Sequence, residues 1–349
     1  MKRVLKNLVL LSLSLVMILS LTACGKSDKE VLKVYNWGDY IDKSVIESFE
    51  KENNVKVIYE EFATNEEMYA KMKAGSDDYD VLIPSDYMIK KMIDEDMLHK
   101  IDMNNVSNYG LIQDRFKNLA FDPKNEYSVP YMWGTVGIIY NKTMVKEPVD
   151  SWKILWDEKY SKKIFMLDSI RDSIGITQKM LGYSLNSKDQ NELQNVKKAL
   201  IEQLPLVLAY VGDEVKDKMI GGEAALAVVW SGDAMYMKRE NPDLEYVIPK
   251  EGTNIWYDSM VIPKGSNNKE LSEKFINYMC KTDVALKNVE FIGYSSPQDE
   301  VIKQLPKELT SDKAAYPNIE DLENSEVFED LSSSLELYDR IWTEVKSKY

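Results

Sequence analysis

The sequence predicts an α/β protein of two domains, and three observations carry that reading. Strand-like and helix-like segments alternate from Leu32 onward, a long β segment is followed by a second α/β region, and 349 residues is a length for two units of ~100–200 residues each. Leu32–Asn36 reads as a strand, Lys43–Glu52 as a helix with Val45, Ile46 and Phe49 on one face, and Val55–Tyr59 as an alternating strand. Thr64-Asn65-Glu66-Glu67 is a capping box, opening a helix that stops at Gly75. Val81–Pro84 is a short buried strand and a helix begins near Asp86. This βαβαβ order demands parallel strands joined by crossover helices. Ligands of open α/β folds sit at the carboxyl edge of the sheet, where Asn36-Trp37 and Pro84-Ser85 fall.

Tyr127–Tyr140 is a long β segment carrying Gly134 and Gly137. The second α/β region, Trp152 to Pro249, holds strands Lys163–Leu167 and Ala224–Trp230 and helices near Ser173–Leu181 and Glu192–Gln203. Trp256–Pro263 then reads as a strand and Leu271–Lys281 as a helix, in the manner of the first region. Ser332–Lys348 is an amphipathic helix.

The N-terminus is an export signal. Lys2, Arg3 and Lys6 precede an apolar run from Leu8 to Leu21, shorter than the ~20 residues of a comfortable span and ending in small residues. Leu21-Thr22-Ala23-Cys24 resembles the lipobox of bacterial lipoproteins. Residues 1–23 are then a signal peptide, Cys24 the lipidated first mature residue, and 24–30 a linker. The expected location is extracytoplasmic, in a periplasmic space or on the outer face of the cell membrane, tethered by that lipid. An unmodified signal-peptide cysteine is the alternative.

Loss of residues 1–23 takes the formal charge from −14 to −17. Such acidity argues against nucleic acid and anionic lipid and mildly for cationic partners, although simple solubility is its usual meaning. Cys280 is the only cysteine after Cys24 and falls in the apolar stripe of a predicted helix, so a buried inert thiol is expected. The single histidine, His99, lies in a polar stretch and is expected to be exposed. It excludes a His-rich metal site and makes a Ser–His–Asp triad improbable. No phosphate loop, dinucleotide fingerprint, C-x-x-C or H-E-x-x-H is present. No catalytic residue, cofactor or metal is expected.

Aromatics paired with carboxylates at strand ends are what the chain does have. They occur in NWGDY (Trp37, Asp39, Tyr40), PSDY (Ser85, Tyr87), LDSIRD (Asp168, Asp172), VVWSGD (Trp230, Asp233), IWYDS (Trp256, Asp258) and IGYSSP (Tyr294). Aromatic faces attract cations and pack on methylenes, and carboxylates accept charge-assisted hydrogen bonds from an ammonium. Together they describe a slot for an elongated organic cation. Trp133, Trp152, Trp156 and Trp342 are assigned to packing.

Y-N-W-x-x-Y, I-P-S-x-Y, S-V-P-Y-x-W-G, S-W-x-x-L-W, W-x-G, P-K-E-G, W-x-D-S and I-G-Y follow one another over more than 250 residues. In this order and spacing the chain resembles the spermidine/putrescine-binding proteins of bacterial ABC importers. The resemblance implies the type II two-lobe periplasmic-binding fold, each lobe a mixed, mostly parallel sheet flanked by helices, with a polyamine in the cleft between lobes. It implies lobe 1 at 31–133 plus 259–305 and lobe 2 at 134–258 plus 306–349, crossed at Tyr131–Thr135 and Thr253–Asp258. An aromatic box then falls on Trp37, Tyr40, Tyr87, Trp230, Trp256 and Tyr294, with Ser85 offering a hydroxyl and Asp258 holding an amine. Departures occur at the acidic pair: Asp168 and Asp172 are four apart rather than three, and an ungapped match puts Ser169 at the first acidic position. Asp233 matches a position typical of putrescine-preferring relatives, and Phe328 stands where the family has Gln. These bear on chain-length selectivity, not on ligand class. The implied partners are a polyamine, ABC permease subunits and, through Cys24, the membrane, with a monomeric protein. Sensing through a partner receptor, or an extracytoplasmic enzyme on the same scaffold, are the alternatives.

Overall fold

The computed structural model describes residues 29–75, 78–313, 315–317, 319–331 and 334–349. Cys24, the signal segment and Ser332-Ser333 lie outside these. Nine strands are formed among the described residues: β1 (Val31–Trp37), β2 (Lys56–Phe62), β3 (Val81–Leu82), β4 (Ser128–Asn141), β5 (Ile164–Leu167), β6 (Val207–Val211), β7 (Leu226–Trp230), β8 (Leu244–Val247) and β9 (Ile255–Val261). The longer helices are α1 (Lys43–Asn53), α2 (Asn65–Lys73), α3 (Asp86–Asp94), α4 (Ile170–Met180), α5 (Gln190–Gln203), α6 (Val215–Ile220), α7 (Ser231–Glu240), α8 (Lys269–Met279), α9 (Thr282–Ile292) and α10 (Leu335–Lys346). None is long and apolar enough to cross a membrane.

Local chemistry sets these bounds. Asp42 caps α1 by accepting from the Ser44 N–H, and Asn54 closes it in the left-handed region. Thr64 Oγ1 accepts from the Glu67 N–H at 3.1 Å, while the Glu67 carboxylate reaches back to the Ala63 N–H at 3.0 Å. The box therefore closes one residue earlier than its usual form. Beyond α2, Gly75 takes φ +84° and turns the chain away.

Strand order is β2-β1-β3-β9-β4-β7-β5-β6, with β8 also on β4. β1 pairs in parallel with β2 and β3, as βαβ crossovers require. In the second lobe β5 lies parallel to β6 and β7. β4 serves both lobes. Its first half, Ser128–Thr135, runs antiparallel to β9, and its second half, Val136–Asn141, pairs antiparallel with β7 and β8. The result is a two-lobe α/β fold with a mixed sheet in each lobe, crossed by neighbouring strands. Helices α4, α5 and α10 pack together beside the second sheet, while α9 packs on α1 and α8 beside the first.

Several elements were not legible in the sequence. β3 is only two residues long, and β6, β8, α7 and α9 were missed. α7 follows Trp230 directly, with no side-chain cap to announce it. His99 is half-buried rather than exposed, its N–H bonded to the Ile262 carbonyl at 2.8 Å. Trp133, Trp152 and Trp342 are buried. Cys280 is buried too, and burial pushes its thiol up to about 12.

Two glycines admit aromatic rings where the lobes meet. A Cβ on Gly134 would sit 2.5 Å from Trp256 Cζ2, and one on Gly232 would sit 2.2 Å from Tyr294 Cδ1. Overpacking of this kind costs ~1–3 kcal/mol. Gly232→Ala is expected to lower the urea midpoint accordingly, and adding Tyr294→Ala is expected to recover part of the loss. Additive losses in that double variant would refute the contact.

Candidate functional site

Asp258 is a buried carboxylate on β9 that meets the loops following β1 and β3. β9 presents Trp256 and Asp258 on alternate positions, so both side chains leave the same face. Tyr40 Oη donates to Asp258 Oδ2 at 2.7 Å and Ser85 Oγ donates to Oδ1 at 2.7 Å. These donors come from the loops after β1 and β3, the carboxyl ends of parallel strands. Tyr40 is fixed in turn by Tyr131, whose hydroxyl donates to the Tyr40 carbonyl at 2.7 Å. Burial lifts the Asp258 carboxyl to about 7, against the lowering from its two hydroxyl donors. Among the described residues no lysine or arginine is ion-paired with it.

Aromatic rings line the space around it. Tyr294 meets Trp256 edge-on at 5.0 Å and Tyr40 edge-on at 5.6 Å. Trp256 is buried and its indole N–H has no hydrogen-bond partner among the described residues. Trp37, at the end of β1, is held by its indole N–H on the Ile83 carbonyl at 2.8 Å.

Asp172 and Asp233 enter from the second lobe. Ser169, the cap of α4, donates through Oγ to Asp172 Oδ2 at 2.7 Å. Burial raises the Asp172 carboxyl to about 6, opposed first by Ser169 and then by the Arg171 charge; the Trp230 indole also leans toward it. Asp172 Oδ1 nevertheless lacks a partner of proper hydrogen-bond geometry among the described residues. Burial raises Asp233 to about 7, with Lys216 opposing and Asp213 and Asp39 adding to the rise. Tyr294 feels both Asp233 and Asp258, which joins these two carboxylates through one ring.

Tyr87 and Asp168 are placed differently from the expected box. The Tyr87 hydroxyl donates to Glu66 at 2.9 Å and accepts from Asn65 at 3.1 Å. Its ring is covered by the Arg171 guanidinium at 4.9 Å, which also lies 4.3 Å over Phe328. Asp168 is exposed and ion-paired with Lys346 at 3.0 Å. It stands just before the α4 cap, so its side chain turns to the α10 side while Ser169 turns to Asp172. Sequence reasoning missed Arg171, Lys216 and Asp86. Arg171 stood inside the quoted LDSIRD segment, and its guanidinium lies over the Phe328 ring. Lys216 gave no signal. Asp86 is buried and its two oxygens accept from the Tyr87 and Tyr257 N–H groups at 2.6 and 2.9 Å, which ties α3 to β9 on both sides of Ser85 and Asp258.

Such carboxylates carry a pH signature. Their folded pKa values, about 7 for Asp258 and Asp233 and about 6 for Asp172, exceed the ~3.9 of an aspartate in an unfolded chain. The folded state then binds more protons between these limits, so each group makes stability fall as pH rises from about 4 toward 7. Without ligand, Asp258→Asn is expected to flatten that fall by about one proton in urea unfolding across this range. An unchanged slope would show that Asp258 ionises as if in water.

The chain matches the bacterial extracellular solute-binding protein family over residues 44–318. It is 35% identical to the spermidine/putrescine-binding periplasmic protein of Salmonella typhimurium over 94% of this chain and 95% of that one. A Listeria monocytogenes structure assigned to a spermidine/putrescine ABC transporter superposes with TM-score 0.89 at 43% identity, covering 92% of this chain and 100% of that one. The TpPotD lipoprotein of Treponema pallidum gives TM-score 0.82 at 29% identity over 90% and 99%. With that breadth of agreement in sequence and fold, the chain belongs to the bacterial extracellular solute-binding proteins, among homologues of the spermidine/putrescine-binding periplasmic proteins.

Proposed function

We propose that the protein is the substrate-binding component of an ABC importer, capturing a polyamine such as spermidine or putrescine outside the membrane and delivering it to permease subunits. The observation that carries this reading is Asp258, a buried carboxylate held by two hydroxyls, walled by Trp256 and Tyr294 and without a protein cation of its own. One ammonium would pair with Asp258 and another with Asp172, with Trp37, Tyr40, Trp230, Trp256 and Tyr294 packed on the methylenes between. Ser85 would orient Asp258, and Tyr87 would act through Arg171. Asp168 has no part in this reading. Charged hydrogen bonds contribute ~1.5–3 kcal/mol each and buried methylenes up to ~0.8 kcal/mol each, against ~4–15 kcal/mol for association. Binding alone is the assigned activity, with no chemical step.

The lobes divide in this proposal as 31–133 plus 259–305 and 134–258 plus 306–349, so that closure about β4 and β9 presents one surface to the permease. Cys24 would carry the lipid and hold a monomer at the outer face of the membrane. The basic, apolar and small-residue order of residues 2–24 supports this, as does the lipoprotein nature of the Treponema relative.

Calorimetric titration is expected to show saturable binding of spermidine or putrescine, and none of neutral sugars or free carboxylates. Asp258→Asn keeps shape and removes charge, so affinity should fall roughly ten- to hundred-fold. An ammonium favours the ionised carboxylates and expels their protons. Affinity should therefore decline from pH 8 to pH 5.5, with proton release detectable in buffers of different ionisation enthalpy. Sugar binding with silent polyamines would refute the ligand class; unaltered affinity in Asp258→Asn would remove that residue from the site.

The anchor has its own test. Cys24→Ala should appear in the soluble or secreted fraction or remain unprocessed. Membrane association with normal processing in that variant would overturn lipidation.

A further inference from the structure

A second ionic cluster faces the same cleft, and it already contains a cation. Lys216 stands on α6 of the second lobe, with its ammonium 3.8 Å from Asp233 Oδ1 and 3.4 Å from Asp39 Oδ2. Asp39 belongs to the loop after β1 in the first lobe, where it takes φ +50°, so this ion pair crosses between lobes. Asp213 adds its charge, and a Cβ on Gly38 would come 3.3 Å from its Oδ2. The chains therefore run close enough here for both lobes to share one cation.

The three carboxylates differ. Asp39 keeps 73% of its side-chain exposure, whereas Asp233 keeps 9%. Asp233 Oδ2 has no hydrogen-bond partner among the described residues. A buried carboxylate with one oxygen near an ammonium and one unsatisfied has spare capacity for charge-assisted hydrogen bonds. A lysine side chain is itself a four-carbon alkylammonium arm, chemically an aminobutyl group attached to the chain.

We propose that Lys216 is a specificity-determining residue: its ammonium is the resident occupant of the Asp39–Asp213–Asp233 subsite and denies that subsite to an additional ammonium of the ligand. The inference rests on the cleft being a polyamine site. A ligand that needs only Asp258 and Asp172 meets a compensated cluster beyond Tyr294. A longer ligand that extends a further ammonium there meets like charge. Removing the lysine charge leaves Asp233 for the ligand.

The test is calorimetric titration of putrescine and spermidine against the wild-type protein, Lys216→Met, Lys216→Arg and Lys216→Met/Asp233→Asn, with melting curves for each. Lys216→Met should move the spermidine-to-putrescine affinity ratio by about tenfold or more toward spermidine. Lys216→Arg should leave the ratio where it was, and the double variant should return it toward the wild-type value. If Lys216→Met does not fold, Asp39→Asn/Lys216→Met lowers the like-charge load while keeping Asp233, and the same shift is expected. An unchanged ratio overturns the proposal. So does an equal loss for both ligands, which would make Lys216 a tie between lobes and nothing more. A wild-type protein that binds neither polyamine rejects the proposed function itself, before any variant is compared.

Discussion

Taking carboxylates out of water at the junction of two lobes is the constraint on which this structure turns. An isolated buried carboxylate is costly and shifts its pKa toward the neutral form unless a cation or several donors compensate it. Three aspartates enter the cleft, and the protein compensates each differently. Asp172 has the Ser169 hydroxyl and the Arg171 charge. Asp233 has Lys216. Asp258 has only the neutral donors Tyr40 and Ser85, which makes it the carboxylate of the three with no resident cation among the described residues.

The backbone explains why that carboxylate is rigid while its surroundings are shared. Asp258 lies inside β9, paired across to Met132 of β4 and bridged to Ser85 beyond β3. It is therefore held by a sheet rather than by a loop. The second-lobe carboxylates sit at helix starts, Asp172 in the first turn of α4 and Asp233 in that of α7, where the helix dipole favours negative charge. Between lobes the contacts include an ion pair, Lys216 with Asp39, a stack, Arg171 over Tyr87, and the ring of Tyr294 against Gly232.

Much of this was legible in residues and spacing, for identifiable reasons. The first βαβαβ unit announced itself through the capping box at Thr64 and through apolar alternation, while the Asp42 cap of α1 emerged only with the fold. Trp256 and Asp258 could be placed on one face from strand period alone. Tyr40 and Ser85 came from the ends of β1 and β3 and Asp258 from within β9, and only the parallel order of β1 and β3 beside β9 could bring them together. What stayed hidden depended on contacts between distant segments. Asp168 read as well as Ser169 until the cap geometry of α4 separated them, sending Asp168 to Lys346. Lys216 looked like any surface lysine, because its partners are far away in sequence on another lobe. β6 and β8 were short segments whose patterning gave no period to recognise.

Arg171 shows how one departure in sequence draws in another group. Its guanidinium lies over Phe328 at 4.3 Å, over Tyr87 at 4.9 Å and over Tyr338 at 5.8 Å. It donates to the Glu329 carbonyl at 3.0 Å and to Asn186 Oδ1 at 3.2 Å. A weakly hydrated planar cation tolerates such a stack better than an ammonium would, and the ring of Phe328 supplies the face that a glutamine could not. Both ends of the acidic cleft thus carry a permanent positive charge from the chain, a guanidinium beside Asp172 and an ammonium beside Asp233. Each resident cation lowers the local field that draws a ligand, and each repels a ligand charge placed next to it. On the proposed polyamine reading, Asp258 would offer the least compensated charge, and the flanking cations would set how readily Asp172 and Asp233 take up a further ammonium.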